Sequence, residues 1–228
     1  MTISDRTYYT LKRLHSLTGV VPIGLFLLEH FFTNSLAVHG AAAYNRASED
    51  LASLPYVQLL EIFGIGVPIL FHMVLGIVIA TTGQANAGRH GYARNWMYLL
   101  QRVSGLVLVA YIIYHVWSTR LSAEVLRGDT DLFGLMANQL QHPAVFAFYV
   151  LGVLAASYHF GNGLFGFAIH WGIATGATAQ RRAARLGLAV FLVLSLVGIN
   201  SLLSFVGRPL RLFERAPETT AAVAGSRP

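Results

Sequence analysis

Five stretches of this chain hold roughly 20 or more mostly apolar residues, the length an α-helix needs to cross a bilayer core. They lie near Leu14–Leu36, Tyr56–Thr82, Trp96–Arg120, Pro143–Ile173 and Ala184–Val206. In hydrocarbon no water satisfies backbone N–H and C=O groups, so segments of this kind span as helices. The expected fold is therefore all-α, a polytopic membrane protein with a bundle of five transmembrane helices. The fourth stretch is the longest and should tilt or project beyond the lipid. Glycine, asparagine and threonine cluster at 34–40, 83–91, 128–131 and 175–178, where the chain turns, and no separate soluble domain fits between them. We expect one membrane domain over residues 1–207 and a polar, disordered tail over 208–228.

Composition narrows the chemistry. Of 228 residues, 55% are hydrophobic and only 11% are charged, which excludes an ordinary water-soluble domain. Cysteine is absent, so disulfides, thiolate catalysis, cysteine-ligated clusters and c-type haem attachment are excluded. A metal would have to be held by histidine or oxygen. The net charge of +6 comes from basic residues lying between apolar segments, a pattern suited to anionic lipid headgroups rather than nucleic acid.

Arginine and lysine also set the expected orientation. Arg6, Lys12, Arg13, Arg89, Arg94, Arg181, Arg182 and Arg185 flank one end of the bundle, against Arg46, Arg120 and Arg127 at the other. The positive-inside rule puts the N-terminus in the cytoplasm. Arg208, Arg211, Arg215 and Arg227 count against this, but the first helices usually set topology. The first span is too long for a signal peptide and is expected to stay uncleaved.

Within that frame, His30, His72, His115 and His159 lie deep in four successive spans, at intervals of 42, 43 and 44 residues. Ionisable groups at membrane depth are costly and usually functional. At about 1.5 Å per helical residue, His30 and His115 fall in the outer half, and His72 and His159 in the inner half. The two levels differ by roughly 10 to 15 Å. Opposed pairs at two depths suit bis-histidine haem, in which both axial positions are filled and the role is electron transfer. Helix-to-helix hydrogen bonding and a proton relay are the alternatives for any one histidine. No HxxxH or HxxHH cluster suggests a di-iron site.

Neighbouring residues fit a flat cofactor. Gly76, Gly105, Gly161, Gly163 and Gly166 offer room beside the histidines, although close helix packing explains glycines in lipid equally well. Arg13, His15, Ser16, Arg89, Arg94, Trp96, Gln101 and Arg102 lie toward the inner ends, where haem propionates would seek donors. Lipid anchoring and the aromatic belt are the competing explanations for the arginines and Trp96. Two carboxylates, Glu29 and Glu61, sit in spans toward the outer surface and could pass protons to a quinone, or simply reach headgroups or a neighbouring helix. His39, His90 and His142 fall in loops, and His170 adjoins Trp171 near the inner interface.

The segments RLHSLTGVVPIGLFLLEHFFTNS (13–35), LPYVQLLEIFGIGVPILFHMVLGI (54–77), NAGRHGYARNWMYLLQRVSG (86–105), YHVWSTR (114–120) and YHFGNGLFGFAIHWGI (158–173) resemble the five-helix, diheme cytochrome b membrane subunits of bacterial succinate dehydrogenases. The likeness runs from about Arg6 to Phe205. It implies that His30, His72, His115 and His159 are axial ligands of two haem b groups, paired as their depths pair them. It further implies a flavoprotein and an iron–sulfur subunit on the cytoplasmic face of a bacterial inner membrane, and no succinate site in this chain. Electrons would enter at the inner haem and leave by the outer one to a quinone, menaquinone. Related fumarate reductases can carry a proton-conducting glutamate two residues before the fourth ligand. Here that residue is Ser157, which tilts the reading toward succinate oxidation. A haem-free proton-relay transporter and a cofactor-free structural anchor are the other classes the sequence admits.

Overall fold

In a computed structural model, residues 4–83 and 88–210 are described, and among them no strand occurs. In chain order the elements are α1 (Asp5–Val20), α2 (Pro22–Ser35), a 3-10 turn (Leu36–His39), α3 (Ala41–Ala52), α4 (Val57–Leu59), a π-helical segment (Leu60–Gly66), α5 (Val67–Thr82), α6 (Ala93–Ser118), α7 (Ala123–Leu126), α8 (Leu132–Leu140), α9 (Pro143–His170) and α10 (Ala177–Phe205). Together they make five rods long and apolar enough to cross a membrane: Asp5–His39, Val57–Thr82, Ala93–Ser118, Pro143–His170 and Ala177–Phe205. The all-α, five-span architecture read from the sequence is the one found. Most of the expected 208–228 tail, residues 211–228, lies outside the described residues.

The spans differ from expectation at their ends. The first rod starts at Asp5 rather than Leu14, and the last at Ala177 rather than Ala184. The added turns are rich in arginine, lysine, alanine and glutamine, good helix formers that carry a helix on past the hydrocarbon. Ser4 caps the first of them, its hydroxyl accepting from the Thr7 N–H at 3.2 Å. Within that rod the helix is interrupted at Val21, because Pro22 has no N–H to give. Bonds from Val21 N–H to the Leu17 carbonyl (2.9 Å) and from Leu25 N–H to the Val21 carbonyl (3.1 Å) carry the chain across the interruption.

Helix α9 is central, packed against α10, α6 and α1. Gly161 on α9 and Gly187 on α10 meet backbone to backbone, and a Cβ on either would strike the other's carbonyl oxygen. Small residues permit this approach where lipid supplies no hydrophobic drive. The Val57–Thr82 rod is peripheral, with none of its most apolar stretch buried by protein.

We call the end carrying α3 and α8 the outer end, and the end with the α5–α6 and α9–α10 turns the inner end. The outer end is the better buried: Phe31, Tyr44, Met136, Leu140, Tyr149, Leu202 and Phe205 form one core there. Tyr44 packs edge-on against Phe205 and Phe133, with centroids 5.0 and 6.1 Å away. Asn45 ties α3 to α8, donating to Asp131 Oδ1 at 2.8 Å and accepting from the Phe133 N–H at 2.9 Å. Asp131 itself caps α8, accepting from the Gly134 N–H at 3.0 Å. These two helices fall where the sequence was read as connection, because neither is long enough to register as a span.

Candidate functional site

The bundle brings the four deep histidines together in two pairs. His30 of α2 and His115 of α6 have ring centroids 5.7 Å apart at an interplanar angle of 78°. His72 of α5 and His159 of α9 are 6.1 Å apart at 81°. Each pair joins two different spans.

Hydrogen bonding fixes the inner imidazoles. His72 Nδ1 lies 2.9 Å from the His15 carbonyl, and His159 Nδ1 lies 3.1 Å from the Gln101 carbonyl. A carbonyl can only accept, so both Nδ1 atoms carry the proton and both Nε2 lone pairs remain free. Ser104 and Thr18 hydroxyls lie beside these same nitrogens, at 3.2 Å from His159 and 3.4 Å from His72. Gln101 also donates to the His159 carbonyl at 3.1 Å and accepts from Asn162 at 2.7 Å, locking α6 to α9. At the outer pair, His115 Nδ1 lies 3.3 Å from the Tyr149 hydroxyl.

Glycines shape the surroundings. A Cβ at Gly19 would come within 2.5 Å of His72 Cε1, one at Gly105 within 3.0 Å of His159 Cε1, and one at Gly76 within 3.1 Å of His15 Cε1. The sequence set Gly105 beside His115 and Gly76 beside His72, but the packing puts them against His159 and His15 instead. Gly161 serves helix packing, and Gly166 faces open space.

The candidate anionic contacts divide. His15 does not reach a helix end. It stacks on His72 with centroids 3.8 Å apart and planes at 16°, its Nδ1 buried and unpartnered among the described residues. Arg13 lies over the Trp171 ring at 4.1 Å, with its Nε and the Trp171 Nε1 both buried and unpartnered there. Arg102 lies 3.5 Å over Tyr98 and donates to the Ile79 carbonyl at 3.4 Å, its Nε likewise unpartnered. Ser16 is half-buried on α1, whereas Arg89 and Trp96 are exposed.

The carboxylates are both engaged. Glu29 accepts from Thr33 one turn on, at 2.6 Å. Glu61 sits in the π-helical segment and takes a forked pair of bonds from Arg120, at 3.2 and 2.9 Å. Ser157 is fully buried and its hydroxyl finds no partner among the described residues.

Comparison with known proteins gives this geometry its context. The family described as the succinate dehydrogenase/fumarate reductase transmembrane subunit matches residues 86–198. The chain is also 43% identical, over 202 residues, to the succinate dehydrogenase cytochrome b558 subunit of Bacillus subtilis (strain 168), covering 89% of this chain and 98% of that one. The chain belongs to this transmembrane-subunit family. It is a multi-pass membrane subunit of the succinate dehydrogenase/fumarate reductase type, and the cytochrome b character of its relative agrees with the histidine-rich interior.

Several residues of this transmembrane subunit's interior escape a reading of its sequence. Gly19 and Tyr149 touch His72 and His115 from other helices, and no local pattern marks them. Arg120 counts in the sequence only as a topological charge, yet it is the partner of Glu61. Ser104 was legible in principle, three residues after Gln101, but its relevance depends on where α9 lies.

Proposed function

We propose that this transmembrane subunit is a diheme cytochrome b anchor that reduces quinone with electrons from succinate. The observation that carries the reading is the pairing of four imidazoles from four spans, at 5.7 and 6.1 Å. An imidazole nitrogen bonds a metal at about 2 Å, so rings on opposite sides of one ion have centroids on the order of 6 Å apart. Haem b held at His72/His159 and at His30/His115 would supply two one-electron iron couples between an iron–sulfur subunit at the inner face and a quinone, menaquinone, at the outer face.

The chain's own residues prepare both sites. The His15 and Gln101 carbonyls hold the inner Nδ1 protons and so keep Nε2 available as a ligand. Gly19 and Gly105 let neighbouring backbone approach the imidazole edges. Arg13, Trp171 and Arg102 present buried, unpartnered N–H groups toward the inner end, suited to anionic propionates. Glu61 and Glu29 are the candidate proton carriers for the quinone, and Arg120 holds Glu61 in place.

The remaining parts of the reading follow the family and the charge pattern. The N-terminus is cytoplasmic, the flavoprotein and iron–sulfur subunits dock on that face of the bacterial inner membrane, and succinate itself binds in the flavoprotein. Ser157 provides no carboxylate beside His159, which favours succinate oxidation over fumarate reduction. Electrons crossing outward to a quinone that takes its protons from outside would make turnover draw on the membrane potential, at about 2.3 kcal/mol per charge per 100 mV, and an uncoupler should then slow it in sealed vesicles.

The test is to add succinate to membranes holding the assembled complex and follow b-type absorbance. We expect haem reduction that quinone reverses. Reduction of a soluble dye with unchanged b-type absorbance would refute the reading.

A further inference from the structure

The paired imidazoles are not all held alike. Both inner rings give their Nδ1–H to main-chain carbonyls, but His115 Nδ1 lies 3.3 Å from the phenol oxygen of Tyr149. Tyr149 is 1% exposed and among the largest fully buried side chains of the protein. Its hydroxyl also lies 3.4 Å from Ser118 Oγ, and the Ser118 hydroxyl donates to the His115 carbonyl at 3.4 Å.

Each hydroxyl has one hydrogen to give, so these contacts have one consistent direction. His115 Nδ1–H donates to Tyr149, Tyr149 O–H to Ser118, and Ser118 O–H back to His115. The loop therefore closes on the residue where it began. Aromatic packing holds the phenol in place: Tyr111 stacks on His115 with centroids 5.6 Å apart at 15°, and meets Tyr149 edge-on at 5.5 Å and 86°. Tyr111 in turn fits because position 152 is glycine, where a Cβ would run into its ring.

We infer that Tyr149 is the positioning residue of the outer pair, its hydroxyl fixing the tautomer and rotation of His115 and setting that imidazole's donor strength separately from the inner pair. The inference rests on the haem reading proposed above. An acceptor on Nδ1–H makes Nε2 a stronger donor and stabilises oxidised iron. Removing the phenol oxygen strands a buried N–H and weakens the ligand, so the outer midpoint potential rises. The inner pair, held by main-chain carbonyls, is indifferent to the change.

The experiment compares wild type, Y149F and S118A in the purified complex. It measures haem per chain, both midpoint potentials by redox titration, and the low-spin electron paramagnetic resonance signals. Y149F should keep two haems, raise the outer potential and move the outer signal alone. S118A should do the same to a smaller degree, and it decides the matter if Y149F fails to accumulate. Two haems in wild type with no shift in either variant, or an equal shift at both haems, overturns the inference and leaves the haem reading intact. Fewer than two haems in wild type overturns both.

Discussion

At the inner end, His72 and His159 are anchored by main-chain carbonyls and hemmed in by Gly19 and Gly105. At the outer end, His115 is anchored by a phenol and sits beside the protein's main apolar core. A main-chain acceptor cannot be removed by substitution, whereas a phenol can. Inner geometry therefore depends on keeping side chains away, and outer geometry on keeping particular side chains present.

Ligand loss should divide the two ends most sharply. H72A or H159A should remove half the haem and leave the outer spectrum, while H30A or H115A should do the reverse, read by pyridine haemochrome and low-temperature difference spectra. Loss of both haems from every variant would erase the distinction.

Crowding should act next, and only at the inner end. G19A places a Cβ within 2.5 Å of His72 Cε1, so the ring must shift. We expect an altered or weakened inner haem signal, with the outer one unchanged.

At the outer surface, E61Q should lower quinone reductase turnover several-fold with both haem spectra intact. The Glu61–Arg120 pair is partly exposed, so its loss should change stability by no more than about 1 kcal/mol. Unchanged turnover would remove Glu61 from the quinone site.

The smallest effect is expected in the outer cap. The Gly134 N–H and the Asn45 amide hold the Asp131 carboxyl below its ordinary range. A depressed carboxyl stabilises the fold above its unfolded pKa, and that contribution fades as pH falls through the folded value. D131A should cost about 1 kcal/mol at neutral pH, as loss of a helix cap does, and the difference from wild type should shrink in acid. Thermal unfolding at neutral and acid pH measures both.

Sequence and structure agree where a property is local or periodic. The five spans, the candidate histidines and their pairing depend on hydropathy and on 1.5 Å per residue, both readable along the chain. What the sequence hides is lateral. His15 reads along the chain only as a donor near the inner end; that it stacks on His72 is set by how α1 packs against α5. Tyr149 looks like one more aromatic in an apolar helix until α6 is laid beside α9. Helices α3 and α8 were hidden by brevity, being amphipathic caps rather than spans. Glu61 was visible as a carboxylate within a span toward the outer surface, but its π-helical setting and its arginine partner were not.

The most direct test of the whole account is the haem content of the purified complex, measured per copy of this chain by pyridine haemochrome with reduced-minus-oxidised spectra. The paired histidines predict two b-type haems. One or none, in protein made with ample haem supply, would contradict the account and return the histidines concerned to helix packing or proton relay.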